Sequence, residues 1–259
     1  MNILFIGDIV GPIGRRMIKE KLAYFVDKYQ VDFVIANGEN VTHGKGIIRH
    51  HYDELIDNGI DCITLGNHYD SKSEINRYLD NVDRMVRPIN LAKDFPGEGT
   101  IEYDVDGIKV RVTNVLCTAF MGEEVKSPYY SLLDVISTND APIHIVDLHG
   151  EATGEKLSIA YALDGKVSAI LGTHTHIQTN DAKILPNGTA YISDVGMTGF
   201  TDGILGFEKE SVIKKNIFNQ MSRFEVPKEG RGLLSAVLLK IDDLTGKCQQ
   251  INSIYFEEK

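Results

Sequence analysis

The chain has few cysteines and lacks any long apolar run. Its three cysteines, Cys62, Cys117 and Cys248, are odd in number and far apart, which argues against a disulfide framework and a Cys-x-x-Cys metal site. We therefore expect buried or incidental thiols in a reducing cytosol. No apolar run approaches the roughly 18 residues that a bilayer requires. The first apolar run ends at Asp8 and lacks a basic flank, so it predicts a strand in a cytoplasmic protein, not a signal peptide.

The sequence also lacks an excess of positive charge, since its formal net charge is −10. A broadly acidic surface argues against extended binding of nucleic acid, which requires clustered basic residues. A small phosphate ester is still compatible with this charge, because bound cations would reverse its sign locally. The 259 residues, 42% of them hydrophobic, are sufficient for one sizeable globular core.

The first half of the chain alternates between short apolar runs and amphipathic segments. The predicted elements are a strand at 2–7, a helix at 13–29, a strand at 31–36, a helix at 51–58 and a strand at 60–65. Ser71, with Glu74 three residues later, predicts a capping box that opens a further helix. This alternation predicts parallel strand–helix–strand units.

The second half adds antiparallel hairpins. Asp106-Gly107 and Pro186-Asn187-Gly188 are turn signals between strand-like segments. The predicted strands are 101–105, 109–115, 143–148, 167–171, 182–185, 190–193, 232–241 and 249–256, with a helix at 155–163. We predict an α/β fold in which two mixed β-sheets pack as a sandwich flanked by helices, giving four layers. Because no internal repeat or linker interrupts the chain, we expect a single domain at 1–259.

Seven side chains with oxygen or nitrogen donors follow the predicted strands. They are Asp8, Glu39, Asn40, Asn67, His149, His174 and His176. Loops at the carboxyl ends of strands converge in open α/β sheets, so residues distant in sequence should meet there. One ion rarely needs so many donors, whereas two ions that share a bridging carboxylate do. Because the set lacks thiolate, it favours manganese, iron or zinc in a catalytic site over structural zinc.

Other polar residues near these motifs have less specific roles. His68 follows Asn67 and is expected at the rim, where it could protonate a departing alkoxide or stabilise charge on phosphorus. His43 is interpreted as part of a solvated loop, with a substrate-facing loop as the alternative. Arg15 and Arg16 are interpreted as surface residues, with a phosphate contact as the alternative. The loop at 200–207 lines either a substrate pocket or a subunit contact, and no substrate-binding residue is assigned.

The order of the motifs resembles that of the calcineurin-like metallophosphoesterases through nearly the whole chain. The matching stretches are Gly7-Asp8, Asn37-Gly38-Glu39-Asn40, Gly66-Asn67-His68-Tyr69-Asp70, His149-Gly150 and Gly172-Thr173-His174-Thr175-His176. The chain departs from the usual pattern in having Glu39 as the apparent bridging acid and a threonine between the last glycine and His174. Together with the stretches at 7–11 and 194–199, these departures resemble the bacterial YmdB-like branch.

The resemblance implies a 2′,3′-cyclic-nucleotide 2′-phosphodiesterase with a di-iron or di-manganese centre, zinc being the further option. The implied ligands are Asp8, Glu39, Asn40 and His176 for one ion, and Glu39, Asn67, His149 and His174 for the other. Our hypothesis is that a metal-bound hydroxide attacks phosphorus, that His68 protonates the leaving 2′-oxygen, and that a nucleoside 3′-phosphate results. The expected partner is a small cyclic nucleotide or phosphodiester, and homo-oligomerisation is left open.

Three other interpretations compete with this one. Paired histidines also occur in amidohydrolase barrels, but there the pair ends the first strand, and eight strand–helix repeats are not visible here. A phosphomonoesterase is a closer competitor, because the metal site alone does not select diesters over monoesters. The third alternative is a metal-stabilised regulatory or nucleotide-binding protein with little turnover.

Overall fold

The computed structural model describes residues 1–91, 94–122, 124–138 and 140–259. In chain order the strands are β1 Asn2–Ile6, β2 Asp8–Ile9, β3 Phe33–Asn37, β4 Cys62–Thr64, β5 Met85–Val86, β6 Thr100–Val105, β7 Ile108–Leu116, β8 Ile143–His149, β9 Ala169–Thr173, β10 Lys183–Ile184, β11 Ala190–Ile192, β12 Met197–Phe200, β13 Gly232–Ile241 and β14 Cys248–Glu257. The α-helices are α1 Gly11–Tyr29, α2 Arg49–Asp57, α3 Pro128–Ser137, α4 Thr153–Ala162 and α5 Lys209–Asn216.

The strands form two mixed sheets, as the sequence predicts. In the first sheet the order is β2-β12-β13-β1-β3-β4-β5, with β14 beside β13. Strands β1, β3, β4 and β5 are parallel, whereas β13 is antiparallel to both β1 and β12. In the second sheet the order is β10-β11-β9-β8-β7-β6, with a parallel centre and an antiparallel strand at each edge.

The two sheets pack face to face, with helices on their outer faces. Ile3 and Phe5 of β1 belong to a buried cluster that includes Ile145 of the second sheet. The alternating residue Leu4 instead joins a cluster with residues of α1 and α2. A third cluster lies between the second sheet and α3 and α4. These clusters confirm the predicted four-layer α/β fold, and they explain why β1 is a continuous apolar run: it is buried on both faces.

The predicted capping box is wrong. Ser73–Arg77 is a 3-10 helix preceded by Lys72, with no side-chain capping bond. The Glu74 carboxylate instead accepts a hydrogen bond of 3.1 Å from the backbone N–H of Arg49, in the first turn of α2. A tertiary contact has therefore replaced the local bond that the sequence pattern predicts. The sequence also does not predict α3, α5, β2, β5 or β12.

Other predicted features are observed. Both predicted hairpins form, β6 with β7 and β10 with β11. Cys62, Cys117 and Cys248 are buried and free of disulfides, as predicted. Within the described part of the chain, no helix combines the length and apolar character needed to cross a membrane.

Candidate metal centre and active site

The seven candidate ligands come from the ends of strands in both sheets. Asp8 follows β1, Glu39 and Asn40 follow β3, and Asn67 follows β4, all in the first sheet. His149 ends β8, and His174 and His176 follow β9, both in the second sheet. Because the sheets lie face to face, their carboxyl-terminal loops converge at one end of the sandwich. Side chains separated by most of the chain thereby come within hydrogen-bonding distance of one another.

One group of donors surrounds Nε2 of His149. This nitrogen lies 2.9 Å from Asn67 Oδ1, 3.2 Å from Glu39 Oε1 and 3.1 Å from His174 Nδ1. Ligand atoms of Glu39, His149 and His174 all lie within 4.8 Å of one another, the spacing of side chains able to hold one ion. Two facing imidazole nitrogens with a carboxylate and an amide oxygen form a donor set typical of a transition metal.

A second group of donors lies beside the first and shares Glu39 with it. The Asn40 side chain lies between its neighbours: its amide Nδ2 donates a hydrogen bond of 3.2 Å to Glu39 Oε1 and lies 3.2 Å from His176 Nε2. Asp8 Oδ1 is 3.9 Å from His176 Nε2. This oxygen of Asp8 is buried and has no hydrogen-bond partner among the residues that the structure describes. An unpaired buried carboxylate oxygen is costly, so its position fits a cation ligand.

Hydrogen bonds at Nδ1 orient the rings of His149 and His176. His149 Nδ1 donates to Thr173 Oγ1 at 2.9 Å, and that hydroxyl donates to Asp147 Oδ1 at 2.5 Å. His176 Nδ1 donates to the backbone oxygen of Leu205 at 3.0 Å. When each ring is neutral, as binding of a cation requires, these bonds leave its Nε2 lone pair facing the site. Such outer contacts are typical of metal-bound histidines.

The loop that carries His174 and His176 has an unfavourable backbone. The two residues have φ of 110° and 65°, a region that non-glycine residues rarely adopt. Asp194 Oδ2 accepts the Thr175 N–H at 2.9 Å, and Asp8 Oδ2 accepts the His174 N–H at 3.2 Å. Strain held by tertiary contacts in this way is common at functional sites.

The buried charged side chains of the site favour the binding of cations. Burial opposes charge on both Glu39 and His149, but their mutual attraction outweighs it, lowering the pKa of Glu39 and raising the pKa of His149 to about 9. Burial raises the pKa of Asp8 to about 6 despite the nearby His176 and His149. The protein's own groups thus do not fully compensate the Asp8 carboxylate. Bound cations would do so, and the donor set therefore fits metal ions.

His68 lies at the rim of the site. Its backbone N–H donates to Glu39 Oε2 at 2.8 Å, while its ring is half-buried with Nδ1 3.4 Å from Ser71 Oγ. Burial lowers the pKa of His68, although the Glu39 carboxylate opposes that shift. The ring faces the same cavity as Glu39 and His174. Its role as a proton donor stays a prediction.

The structure shows the contacts of three further residues near the motifs. Arg15 is 2.8 Å from Glu54 Oε2 and donates to the backbone oxygen of Val41, so it holds a loop in place and is not free for phosphate. Arg16 is paired with Glu258. His43 is exposed, as in the solvated-loop interpretation, and it also lines the cavity beside the candidate ligands, as in the alternative.

Sequence reasoning missed the residues behind the ligands. Asp147 lies within the apolar strand β8. Because a buried carboxylate needs a polar partner, this residue could have been predicted from the sequence to contact another buried polar group. Lys156 is buried in α4, and its Nζ donates to the backbone oxygens of Thr173 and Ser193. Glu151 Oε2 lies 3.2 Å from His174 Nε2. These contacts depend on which loops the two sheets bring together.

The two face-to-face mixed sheets have the fold of the calcineurin-like phosphoesterases. The same fold occurs in a calcineurin-like phosphoesterase of Bacillus subtilis, at a TM-score of 0.55 and 12% identity, covering 100% of this chain and 90% of that one. The chain belongs to the YmdB-like protein family, whose sequence profile matches residues 4–254.

Closer relatives match the chain from end to end. It is 44% identical over 260 residues to the 2′,3′-cyclic-nucleotide 2′-phosphodiesterase of Bacillus subtilis, covering 100% of this chain and 98% of the relative. It is also similar to a crystal structure described as a novel phosphatase from Mycoplasma pneumoniae, with 36% identity and a TM-score of 0.94, covering 99% of this chain and 93% of that chain. The Mycoplasma pneumoniae structure therefore shares the fold of this chain over nearly its full length.

Proposed function

We propose that the protein is a metal-dependent phosphodiesterase that hydrolyses 2′,3′-cyclic nucleotides to nucleoside 3′-phosphates. The observation that carries the proposal is the position of Glu39, whose buried carboxylate contacts both groups of candidate ligands. The name of the Bacillus subtilis relative, identical at 44% of positions, supports the choice of substrate. We further propose that residues 1–259 act as one domain, because the candidate ligands are drawn from both sheets.

Two cations fit the donors that the chain provides. The proposed ligands are Asp8, Glu39, Asn40 and His176 for one ion, and Glu39, Asn67, His149 and His174 for the other. Bound there, two such ions would acidify a water molecule and neutralise charge on the phosphate. The mixture of carboxylate, amide and imidazole favours iron or manganese, with zinc as an alternative.

The chain's own residues would position the ester and move a proton. A water oxygen forms a bond to phosphorus as the bond from phosphorus to the 2′-oxygen breaks, and the water gives up one proton to the solvent. We assign to His68 the donation of a proton to that leaving oxygen, because its half-buried ring faces the cavity beside Glu39 and His174. The hydrogen bonds at Nδ1 of His149 and His176 keep these two rings in fixed orientations.

Hydrolysis of 2′,3′-cyclic AMP by the metal-reconstituted protein tests the proposal. The same preparation should be offered 3′,5′-cyclic AMP and p-nitrophenyl phosphate, with chromatography that separates 3′-AMP from 2′-AMP. We expect 3′-AMP as the product and loss of turnover with a chelator. Release of 2′-AMP would contradict the assigned leaving group, and absence of any turnover in protein with two bound metals would contradict the enzyme.

A phosphomonoesterase is the second candidate function. It is favoured by the description of the Mycoplasma pneumoniae structure as a phosphatase. The same assay separates the two candidates, because a monoesterase would hydrolyse p-nitrophenyl phosphate faster than the cyclic diester.

A further inference from the structure

A single cavity extends from the candidate ligands to a segment that supplies none of them. It has a volume of about 640 Å³, within the usual range for small-molecule sites. Glu39 and His174 line one part of it, whereas Phe207 and Phe224 line another. A substrate held at the donors would therefore have space to reach residues 205–224.

A tight hairpin brings this segment to the site. Ile204 and Phe207 exchange two backbone hydrogen bonds of 2.9 and 3.0 Å around Leu205 and Gly206. Both turn residues have positive φ, 54° and 88°, as a type I′ turn requires. The Leu205 oxygen accepts the bond from His176 Nδ1. The position of Phe207 is thus tied to a candidate metal ligand.

A glycine makes room for the Phe207 ring. A Cβ added to Gly44 would lie 2.7 Å from Cε1 of Phe207 and 2.9 Å from Cγ2 of Val226, and Gly44 has φ of 80°. Only glycine fits this backbone and this close approach. The loop after β3, which carries Glu39, therefore packs directly against the segment.

Phe224 extends the apolar wall. Its ring centroid is 5.4 Å from that of Phe207 at an interplanar angle of 49°, and Lys215 Nζ lies 4.7 Å from the centroid of the Phe224 ring. The backbone N–H of Glu208 donates a hydrogen bond of 2.8 Å to the backbone oxygen of Glu225, and this bond holds the backbone next to Phe224. The Phe224 side chain is nevertheless 37% exposed. An ordered aromatic ring left partly open to a cavity suits contact with a ligand.

Positive charge accompanies the aromatic wall. Lys45, Lys215 and Arg223 line the same cavity, in a protein whose formal net charge is −10. Cationic side chains beside two aromatic rings complement a ligand that is both anionic and aromatic. A nucleotide has both properties, whereas a simple phosphate ester such as a sugar phosphate has only the charge.

We propose that Phe207 and Phe224 form the nucleobase subsite of this enzyme, and that they select nucleotides over other cyclic phosphates. The inference rests on the proposed function for the position of the phosphate. Base–aromatic stacking tolerates all bases. The subsite therefore predicts a requirement for a base and only weak preference among adenine, guanine, cytosine and uracil.

Comparison of 2′,3′-cyclic AMP with methyl riboside 2′,3′-cyclic phosphate, which lacks the base, tests the subsite. For Phe224→Ala, we expect the ratio of kcat/KM for the nucleotide to that for the base-free ester to fall about 10-fold, mostly through KM. Phe224→Tyr should restore the ratio, because it keeps the ring. Phe218→Ala is the matched control, since Phe218 is 61% exposed in the same segment and is not among the residues that line the cavity.

Calorimetric binding of 3′-AMP and of ribose 3-phosphate tests the base subsite separately from the proposed diesterase activity. If Phe224→Ala left the ratio of the two kcat/KM values unchanged, whether both values fell equally or neither fell, the base subsite would be overturned while the diesterase proposal stood. If the wild type hydrolysed neither ester, the proposed function would fail. A selective loss of 3′-AMP affinity in Phe224→Ala would then still support the subsite, and unchanged affinity would overturn it.

Discussion

Oε1 of Glu39 lies 3.2 Å from Nε2 of His149, and this buried contact joins the two sheets at their carboxyl ends. Glu39 follows β3 of the first sheet, and His149 ends β8 of the second. Gly66 lies against the same pair: a Cβ added to it would be 2.3 Å from Glu39 Oε2 and 2.5 Å from His149 Nε2. The pair can keep its geometry only if position 66 has no side chain.

Gly66→Ala is therefore expected to damage the metal centre more than the fold. The new methyl group would displace Glu39, His149 or both, and misplacing groups at a metal site typically lowers metal affinity or activity about 10- to 100-fold. Elemental analysis after equilibration with limiting manganese or iron measures the loss, and circular dichroism checks the fold.

Gly154→Ala is the matched control for that experiment. Gly154 lies in the first turn of α4, and a Cβ added there meets no atom within 4 Å. Helix propensity favours alanine, so this variant should keep its metal and its stability. Full metal occupancy in Gly66→Ala would show that the Glu39–His149 contact does not define the ion site.

His68→Ala should separate catalysis from metal binding. Removal of a general acid typically lowers turnover by about 100- to 10,000-fold. The backbone N–H of residue 68 remains available to Glu39 Oε2, so metal content should be unchanged. Steady-state rates on 2′,3′-cyclic AMP, with elemental analysis of the same sample, measure both quantities.

Two further experiments test the proposed role of His68 as proton donor. Ser71→Ala removes the hydroxyl 3.4 Å from His68 Nδ1 and should have only a small effect, because that contact is long and exposed. If His68 donates the proton, His68→Ala should also lose the fall in kcat that deprotonation of the histidine causes at higher pH. Undiminished turnover in His68→Ala would remove His68 from the mechanism.

The sequence predicted which candidate ligands come together, because the signal for each of them is local. Each strand-end donor, such as Asp8 or His149, follows a short apolar run, and parallel sheets place such ends together. The outer contacts of the ligands have no comparable local signal. The partner of His176 is the backbone oxygen of Leu205, and any residue type could supply that atom.

The loop at 200–207 was expected to line either a substrate pocket or a subunit contact, and Leu205 and Phe207 line the cavity beside the candidate ligands. The rest of the segment, at 208–226, was not predicted for a related reason. It is largely turn and irregular backbone around the short helix α5, so neither a period of 2 nor of 3.6 residues identifies it. Its place in the fold depends on Gly44, in the loop after β3, and on Gly11, the first residue of α1, because side chains of the segment approach the backbone closely at both. Only the tertiary structure shows that Phe207 and Phe224 lie beside the ligands.

Lys156→Met should destabilise the protein and loosen the His174 loop. Lys156 Nζ donates to the Thr173 oxygen at 2.8 Å and the Ser193 oxygen at 2.9 Å, and it lies 3.4 Å from Asp194 Oδ2. Without the ammonium group the buried Asp194 carboxylate is uncompensated, so we expect a loss of about 3–5 kcal/mol in the free energy of unfolding. Urea denaturation of the metal-free protein measures it.

The double variant Lys156→Met with Asp194→Asn tests the cause of that loss. Removing both charges should recover part of the stability, giving a coupling energy of about 1 kcal/mol or more. Recovery will be incomplete because Asp194 also accepts hydrogen bonds from the Thr175 and Gly196 N–H groups. Strictly additive losses would show that the ion pair itself contributes nothing.

His144 should make the fold less stable in mildly acidic solution. Its ring is buried in β8, with Nε2 2.8 Å from Thr113 Oγ1, and Nδ1 has no hydrogen-bond partner among the described residues. Burial, assisted by Arg111, lowers the pKa of His144 from 6.5 to about 3. Between these two values the unfolded chain binds a proton that the folded protein does not, so lowering the pH favours unfolding.

The expected contribution of His144 is about 1.4 kcal/mol for each pH unit below 6.5 and none above it. His144→Gln keeps a polar group near Thr113 but cannot titrate, so its unfolding free energy should depend less steeply on pH between 6.5 and 4. Carboxylates that also titrate in this range affect both proteins equally, and the difference between the two slopes isolates the histidine. Urea denaturation at pH 7.5, 5.5 and 4.5 measures these slopes. Parallel slopes would mean that the buried ring accepts its proton in the folded state as readily as in the unfolded chain.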